Sequence, residues 1–388
     1  MTDVVISHTD RTGAAGGTAL AETIGAGLPG KPDAVILFAS PRNDHLALLG
    51  ALRAGAQPGV LVGCSSAGEF THDVAGEGLT CAVALRNPDM QFRAAVGERI
   101  SADRERAAQQ IADGFAGLRT HQYRYRTALI FADALAGYTE GLIDALTHAT
   151  MGIYQFCGGG AGDDARFQET YVFCNDQVYS DAAVALEILS NKPLGIGARH
   201  AWVPSSQPLR VTDSDGMRVV SLNVSPAAEV FEAHATATNQ VLDRADPLPF
   251  FLHNVIGVAT PDGHKLRVPL GITADGGVQC AADVPRGATA RIMATEEPRA
   301  AAAAALAVRD AVGQLERAGS RPKAALFFDC VATRLRLGAQ FGGELDAVAR
   351  ELGSAPFAGF NSYGQIVRAE GQFGGFHNCT AVVCVIPE

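Results

Sequence analysis

Three short stretches carry the residue types that could hold a small molecule: GCSSAGEF (Gly63 to Phe70), CGGGAGDD (Cys157 to Asp164) and GFNSYGQI (Gly359 to Ile366). Each sets a glycine beside an acid or amide in the same register, as Gly68-Glu69, Gly162-Asp163 and Gly364-Gln365. Glycine is used where the backbone takes a positive φ or comes close to another group. Successive N–H groups in such a loop can cradle an anion without any special side chain. The third stretch adds Asn361, Ser362 and Tyr363, and Arg334 follows the apolar run that precedes it. Such a set could hold an anionic group on backbone N–H and Arg334, wall it with Tyr363 and orient it with the amides of Asn361 and Gln365. Ser65, Glu69, Asp163 and Cys330 complete the candidate ligand set.

Other chemistries fit these loops less well. A nucleophile elbow needs its two glycines four apart and a helix afterwards. Gly63 and Gly68 are five apart, and hairpin-like text follows. A dinucleotide fingerprint or P-loop needs a helix after the glycines, and the latter a lysine. CGGGAGDD has neither. The eight cysteines show no Cys-x-x-Cys and no zinc spacing. Cys81, Cys174 and Cys384 lie in apolar strand text and read as buried free thiols. Cys330 or Cys64 could serve as the nucleophile of a cysteine-dependent enzyme, which would require a lowered thiol pKa. His253 and His377 each precede an asparagine in strand-like text. They are the two candidates for a metal or haem iron.

The elements that position these loops recur. Before each loop come an apolar run, a helix-like stretch and a second apolar run: DAVILFAS, NDHLALLGALRAG and GVLV; TALIFADAL, YTEGLIDALTHAT and IYQF; AALFFDCV, QFGGELDAVARELG and FAGF. After each comes alternating strand text, with turn signals at Asn87-Pro88-Asp89 and Asn175-Asp176 placed for hairpins. The pattern predicts a degenerate internal repeat of strand, helix, strand, loop and hairpin, in a mixed α/β chain with mixed and antiparallel sheets. Because Arg334 and the Asn361 loop leave neighbouring strands at the same sheet edge, the reading places Arg334, Asn361, Tyr363 and Gln365 in one cleft, with His377 nearby. Between the second and third copies, Trp202 to His234 reads as a hinge. It ends in a helix with Ser225 as N-cap and Pro226 at the first helical position. Antiparallel strands broken by Pro-Asp-Gly and Asp-Gly-Gly follow, then a helix from about Pro298 to Ala318 with an apolar face of Leu306, Val308 and Val312.

At 388 residues the chain exceeds what one core fills, so two domains are expected. A hydrophobic fraction of 47% with 19% charged residues is that of a soluble globular protein. A formal charge of -10 without basic clusters argues against nucleic acid. No apolar run suits a membrane span and no signal peptide is visible, so a cytoplasmic setting with reduced thiols is expected.

VGCSSAGEF, FCGGGAGDD, GARHAWVP, LRVTDSDGMRVVSLNVSPAAEVFE, ALFFDCVATRLRLG, PFAGFNSYGQI and FHNCTAVV, in that order, resemble the signature stretches of the FIST sensory family over nearly the whole chain. The resemblance implies a FIST N-like domain at 1–223 and a FIST C-like domain at 224–388. It also implies a ligand-binding input module of bacterial signal transduction, sensing an amino acid or another small anionic metabolite. Such a module would act through a separate signalling protein such as a kinase or cyclase. Some relatives are similar to haem-bearing nitric-oxide sensors, which makes haem the alternative to a protein without cofactor. The family's third loop carries Gly-Glu, whereas this chain has Gly364-Gln365, one charge fewer; His377, Asn378 and Thr380 keep the family ending.

Overall fold

The structure is a computed structural model that describes residues 1–371 and 374–388, with the side chains of Glu297 and Pro298 outside the description. The first unit runs β1 (Asp3–Thr9), α1 (Gly13–Gly27), β2 (Ala34–Ala39), α2 (His45–Ala56), β3 (Val60–Ser65), the short hairpin β4 (Glu69–Thr71) and β5 (Ala75–Gly76), and β6 (Thr80–Arg86). The second repeats the order: β7 (Gln91–Glu98), α3 (Arg104–Gly114), β8 (Tyr125–Ala132), α4 (Thr139–Ala149), β9 (Gln155–Gly160), hairpin β10 (Val172–Cys174) and β11 (Gln177–Tyr179), and β12 (Ala182–Ser190).

The third unit opens with β13 (Gly195–Arg199) and is interrupted by a nine-stranded layer. That layer holds β14 (Val203–Pro204), β15 (Leu209–Asp215), β16 (Arg218–Leu222), β17 (Ser225–Pro226), β18 (Val255–Thr260), β19 (Gly263–Arg267), β20 (Pro269–Ile272), β21 (Val278–Cys280) and β22 (Thr289–Ala294). Helices α5 (Ala227–Ala237) and α6 (Leu248–Phe251) accompany it. The unit then resumes with α7 (Glu297–Arg317), β23 (Pro322–Cys330), α8 (Val331–Leu337), α9 (Phe341–Leu352), β24 (Phe357–Ser362), hairpin β25 (Gln365–Arg368) and β26 (Gly375–His377), and β27 (Ala381–Pro387).

The sheets share one strand order: β1-β6-β2-β3, β7-β12-β8-β9 and β13-β27-β23-β24. In each, the two strands joined by a helical crossover are parallel (β2 with β3, β8 with β9, β23 with β24) and the returning strand is antiparallel. The hairpin after each glycine loop leaves its own sheet. β4 pairs with β24, β10 with β3 and β25 with β9. This cyclic exchange covers the edge of every second parallel strand, which would otherwise present unpaired N–H and C=O groups.

Each sheet packs helices on one face and the other sheets on its inner face, which is why the strands read as unbroken apolar runs rather than alternating ones. At the centre, Phe38, Phe131 and Phe328 stand at corresponding positions of β2, β8 and β23. Their rings lie 5.7, 6.2 and 6.2 Å apart, edge to face, and Phe360 stacks on Phe38 at 4.6 Å.

Several sequence expectations need correction. Asn87-Pro88-Asp89 makes no hairpin: β6 and β7 belong to different sheets, and the turn carries the chain from one to the next. Ser225 caps no helix. Ser225 and Pro226 pair with Leu222 and Ser221, so their backbone is extended and α5 starts at Ala227 without a side-chain cap. Leu306 points outward at 45% exposure, and the buried face of α7 is small instead: Ala300, Ala304, Ala307, Val308 and Ala311. That smoothness lets α7 lie close on β13, where Gly197 faces the Ala307 carbonyl. All eight cysteines are buried and free, as expected for Cys81, Cys174 and Cys384.

Candidate functional site

The three glycine loops meet. Ala67 N–H donates to the Asn361 carbonyl (2.9 Å) and Asn361 N–H to Gly68 (2.8 Å). Gly162 N–H donates to Ser65 (3.0 Å), Gly160 N–H to Gly364 (2.8 Å) and Tyr363 N–H to Gly160 (3.1 Å). Each loop therefore bonds both others. Gly68 and Gly364 take φ of 118° and 137°, a conformation that L side chains avoid. Gly162 is required for a different reason: a Cβ there would sit 2.8 Å from the Ala67 nitrogen.

The matched residues Glu69, Asp163 and Gln365 look inward. Glu69 accepts from the Ser66 hydroxyl and from Leu79 N–H (3.0 Å), and burial pushes its carboxyl up to about 8 against those bonds. Asp163 accepts from the N–H groups of Phe167, Gln168 and Glu169 (2.8, 2.7 and 3.0 Å) and from the Tyr363 hydroxyl. Gln365 donates to Ser362 Oγ (2.8 Å) and accepts from Thr380 N–H (3.2 Å). Ser65 Oγ accepts from Tyr171 N–H (2.9 Å), and the Ser362 hydroxyl faces the carbonyls of Asp329 and Gly364. The Tyr363 ring stacks on Phe167 at 4.5 Å. These side chains are spent on holding loops and hairpin returns.

Above the loops lies a charged mouth. Glu77, just past β5, bridges Arg42 (3.2 Å), from the loop after β2, and Arg334 (2.8 Å), from α8. Asp164 sits beneath, its side chain only 3% exposed, 3.4 Å from Arg42 Nε. Neither Asp164 oxygen receives a hydrogen bond, and neither Arg334 Nε nor Asn361 Nδ2 makes one. Burial, with Glu77 adding to it, raises the Asp164 carboxyl above its ordinary range against the pull of the arginines. The structure thus brings Arg334 and Asn361 together at Gly68, where a Cβ would lie within 3.3 Å of both side chains. Tyr363 instead turns to Asp163, Gln365 to Ser362, and Cys330 to Cys379.

Reading the sequence missed Arg42, Glu77 and Asp164. Arg42 was within reach, because it follows β2 as Arg334 follows the equivalent strand β23. Asp164 stands beside the acid chosen for its register, at a φ of 56° that no sequence pattern announces.

His253 is exposed after α6, and His377 is buried in β26. Neither is among the residues lining the cavities bounded by Arg124 and Gln314, by Asp133 and Tyr171, by Asp329 and Cys379, or by Cys330 and Tyr363. Cys64 is fully buried in the central core, and burial pushes its thiol well above the ordinary range, which makes it a packing residue. Among the described residues no helix is long and apolar enough to cross a membrane.

The fold is a mixed α/β arrangement of three hairpin-exchanging units. The chain belongs to the FIST family, sensory small-ligand-binding domains of signal transduction: the FIST N domain matches residues 33–225 and the FIST C domain residues 227–368. No curated protein matches the chain. Among solved structures it is similar to a cyanuric acid hydrolase from A. caulinodans (7% identity, TM-score 0.32, covering 100% of this chain and 99% of that one). It is also similar to T. maritima PurL complexed with ATP (12% identity, TM-score 0.21, covering 100% and 72%). Likenesses so slight bear on neither the fold nor the chemistry of this chain.

Proposed function

We propose that the mouth over the three loops binds a small anionic or zwitterionic metabolite, with an amino acid the simplest that fits, and that the protein reports it in the cytoplasm to a separate kinase or cyclase. One observation carries this reading: a carboxylate, that of Glu77, already bridges Arg42 and Arg334 above an Asp164 whose two oxygens accept no hydrogen bond. Glu77 is exposed and directly follows β5, whose two residues are exposed as well, so a ligand carboxylate can take its place between the arginines with little rearrangement. A ligand ammonium can then settle on Asp164, and Asn361 Nδ2 supplies a further donor.

Calorimetry with amino acids, their deaminated carboxylates and their decarboxylated amines tests this. Binding of amino acids and carboxylates that R334A weakens supports the reading. Saturable binding that R334A leaves unchanged overturns it, as does failure of every carboxylate to bind. Mass spectrometry of small molecules carried through purification would name the metabolite.

A further inference from the structure

A second reactive grouping lies where β23 ends. Cys330 closes that strand, and Cys379 occupies the turn before β27 at a φ of 49°. The antiparallel register sets Phe328 opposite Val382; carried two residues further it sets Cys330 opposite Thr380, next to Cys379. The two thiols share one apolar cluster with Trp202 and Met293 and are not joined. Cys330 Sγ also faces the N–H groups of Ala332 and Cys379 and the side chain of Gln365. These donors, led by the Cys379 thiol, outweigh burial and lower Cys330 to about 6, while the same contact raises Cys379. The pairing thus favours the thiolate on Cys330 and the protonated form on Cys379.

The pair stands between two small cavities. Cys330 lines an apolar one of about 30 Å³ with Leu252, Val268 and Tyr363. Cys379 lines one of about 10 Å³ with Asp329, Glu344 and Arg336, room for one water-sized molecule. Neither Asp329 oxygen has a hydrogen-bond partner, and burial beside Glu344 raises this carboxyl well above its usual range, so it can carry a proton to a leaving group.

We propose that Cys330 and Cys379 form a peroxide-reactive dithiol, with Cys330 as attacking and Cys379 as resolving sulfur. The Cys330 thiolate attacks one oxygen of hydrogen peroxide and the O–O bond breaks. The sulfur becomes a sulfenic acid, and the departing hydroxide takes a proton from the Asp329 and Glu344 carboxyl pair to leave as water. Cys379 sulfur then attacks the sulfenic sulfur, an S–S bond forms, the S–O bond breaks, and a second water leaves with the Cys379 proton. The two sulfurs supply the two electrons that reduce the peroxide. Cys157 and Cys384 provide an internal contrast: they too share a cluster, but in the central core, where neither lines these cavities and burial drives Cys157 upward.

The test is to expose the reduced full chain to hydrogen peroxide under native conditions, denature it with a thiol alkylator and map the products by mass spectrometry. A two-dalton loss located to a Cys330–Cys379 crosslink is expected. C379S should stop at a sulfenic acid on Cys330 that dimedone captures, and C330S should consume peroxide about tenfold more slowly or less. If C330S does not fold, the dimedone arm on C379S still decides. Crosslinking of another pair, dimedone capture elsewhere, or a reaction no faster than that of free cysteine overturns the proposal.

Discussion

The loop corners and the mouth above them are made of the same residue types, yet they do opposite things. At the corners, Glu69, Asp163 and Gln365 have their polar atoms committed to backbone N–H groups and hydroxyls. In the mouth, Asp164, Arg334 and Asn361 keep polar atoms that no hydrogen bond uses. Asp163 and Asp164 are neighbours in sequence, which makes the contrast sharp. A buried polar atom without a partner costs free energy, and a fold retains one where a ligand repays it. Register across the units marks what holds the loops, while the proposed ligand groups stand one residue away or on other elements.

Substitutions at the corners should therefore cost stability and those in the mouth should cost binding. The largest effect is expected for Asp163→Ala, which removes the acceptor of three N–H groups and of the Tyr363 hydroxyl. A loss of about 2–4 kcal/mol in urea unfolding is expected. A change below about 0.5 kcal/mol would erase the distinction between corner and mouth. Arg334→Ala should weaken a carboxylate ligand by about 1.5–3 kcal/mol, the scale of a charge-assisted hydrogen bond, measured by calorimetry. Its melting should shift little, because the ion pair it loses is with the half-exposed Glu77.

Glu69→Gln sharpens the comparison through pH. The folded chain holds the Glu69 proton up to about pH 8, whereas the unfolded chain releases it near 4.5. The extra proton bound by the fold makes this contribution complete below pH 4.5, with stability lost as pH rises to about 8. Gln cannot titrate, so the variant should lack that part of the decline and cost under about 1 kcal/mol at pH 5, where unfolding curves at several pH values would read both. The smallest effect belongs to Asp164→Asn. Amino acids should bind a few-fold more weakly while their deaminated carboxylates are held at least as well, and equal weakening of both would remove Asp164 from ammonium recognition.

Much of the scaffold was legible. The apolar runs at 33–40, 127–135 and 324–331 hold the first parallel strands, because a strand buried on both faces must be apolar throughout, although β8 ends at Ala132 and β23 at Cys330; the helical stretches after them are α2, α4 and α9. Asn175-Asp176 and the Pro-Asp-Gly and Asp-Gly-Gly turns sit in hairpins, since turn chemistry is local. Asn87-Pro88-Asp89 looked the same and joins two sheets instead, because a turn residue reports how the chain bends and not which strand lies beyond. In the mouth, Arg334 and Asn361 were legible, and Arg42, Glu77 and Asp164 were not.

By itself the sequence determined the elements, their order and the residues at the loop corners, all of which follow from periodicity, turn chemistry and glycine placed where backbone is tight. Only the tertiary structure decided that each hairpin crosses to another unit's sheet, and with it that Arg42, Asp164 and Arg334 meet, or that Cys330 meets Cys379. The physical reason is that strand exchange is fixed by unpaired backbone edges finding partners far away in the chain, and backbone hydrogen bonds carry no signature of the side chains they bring together.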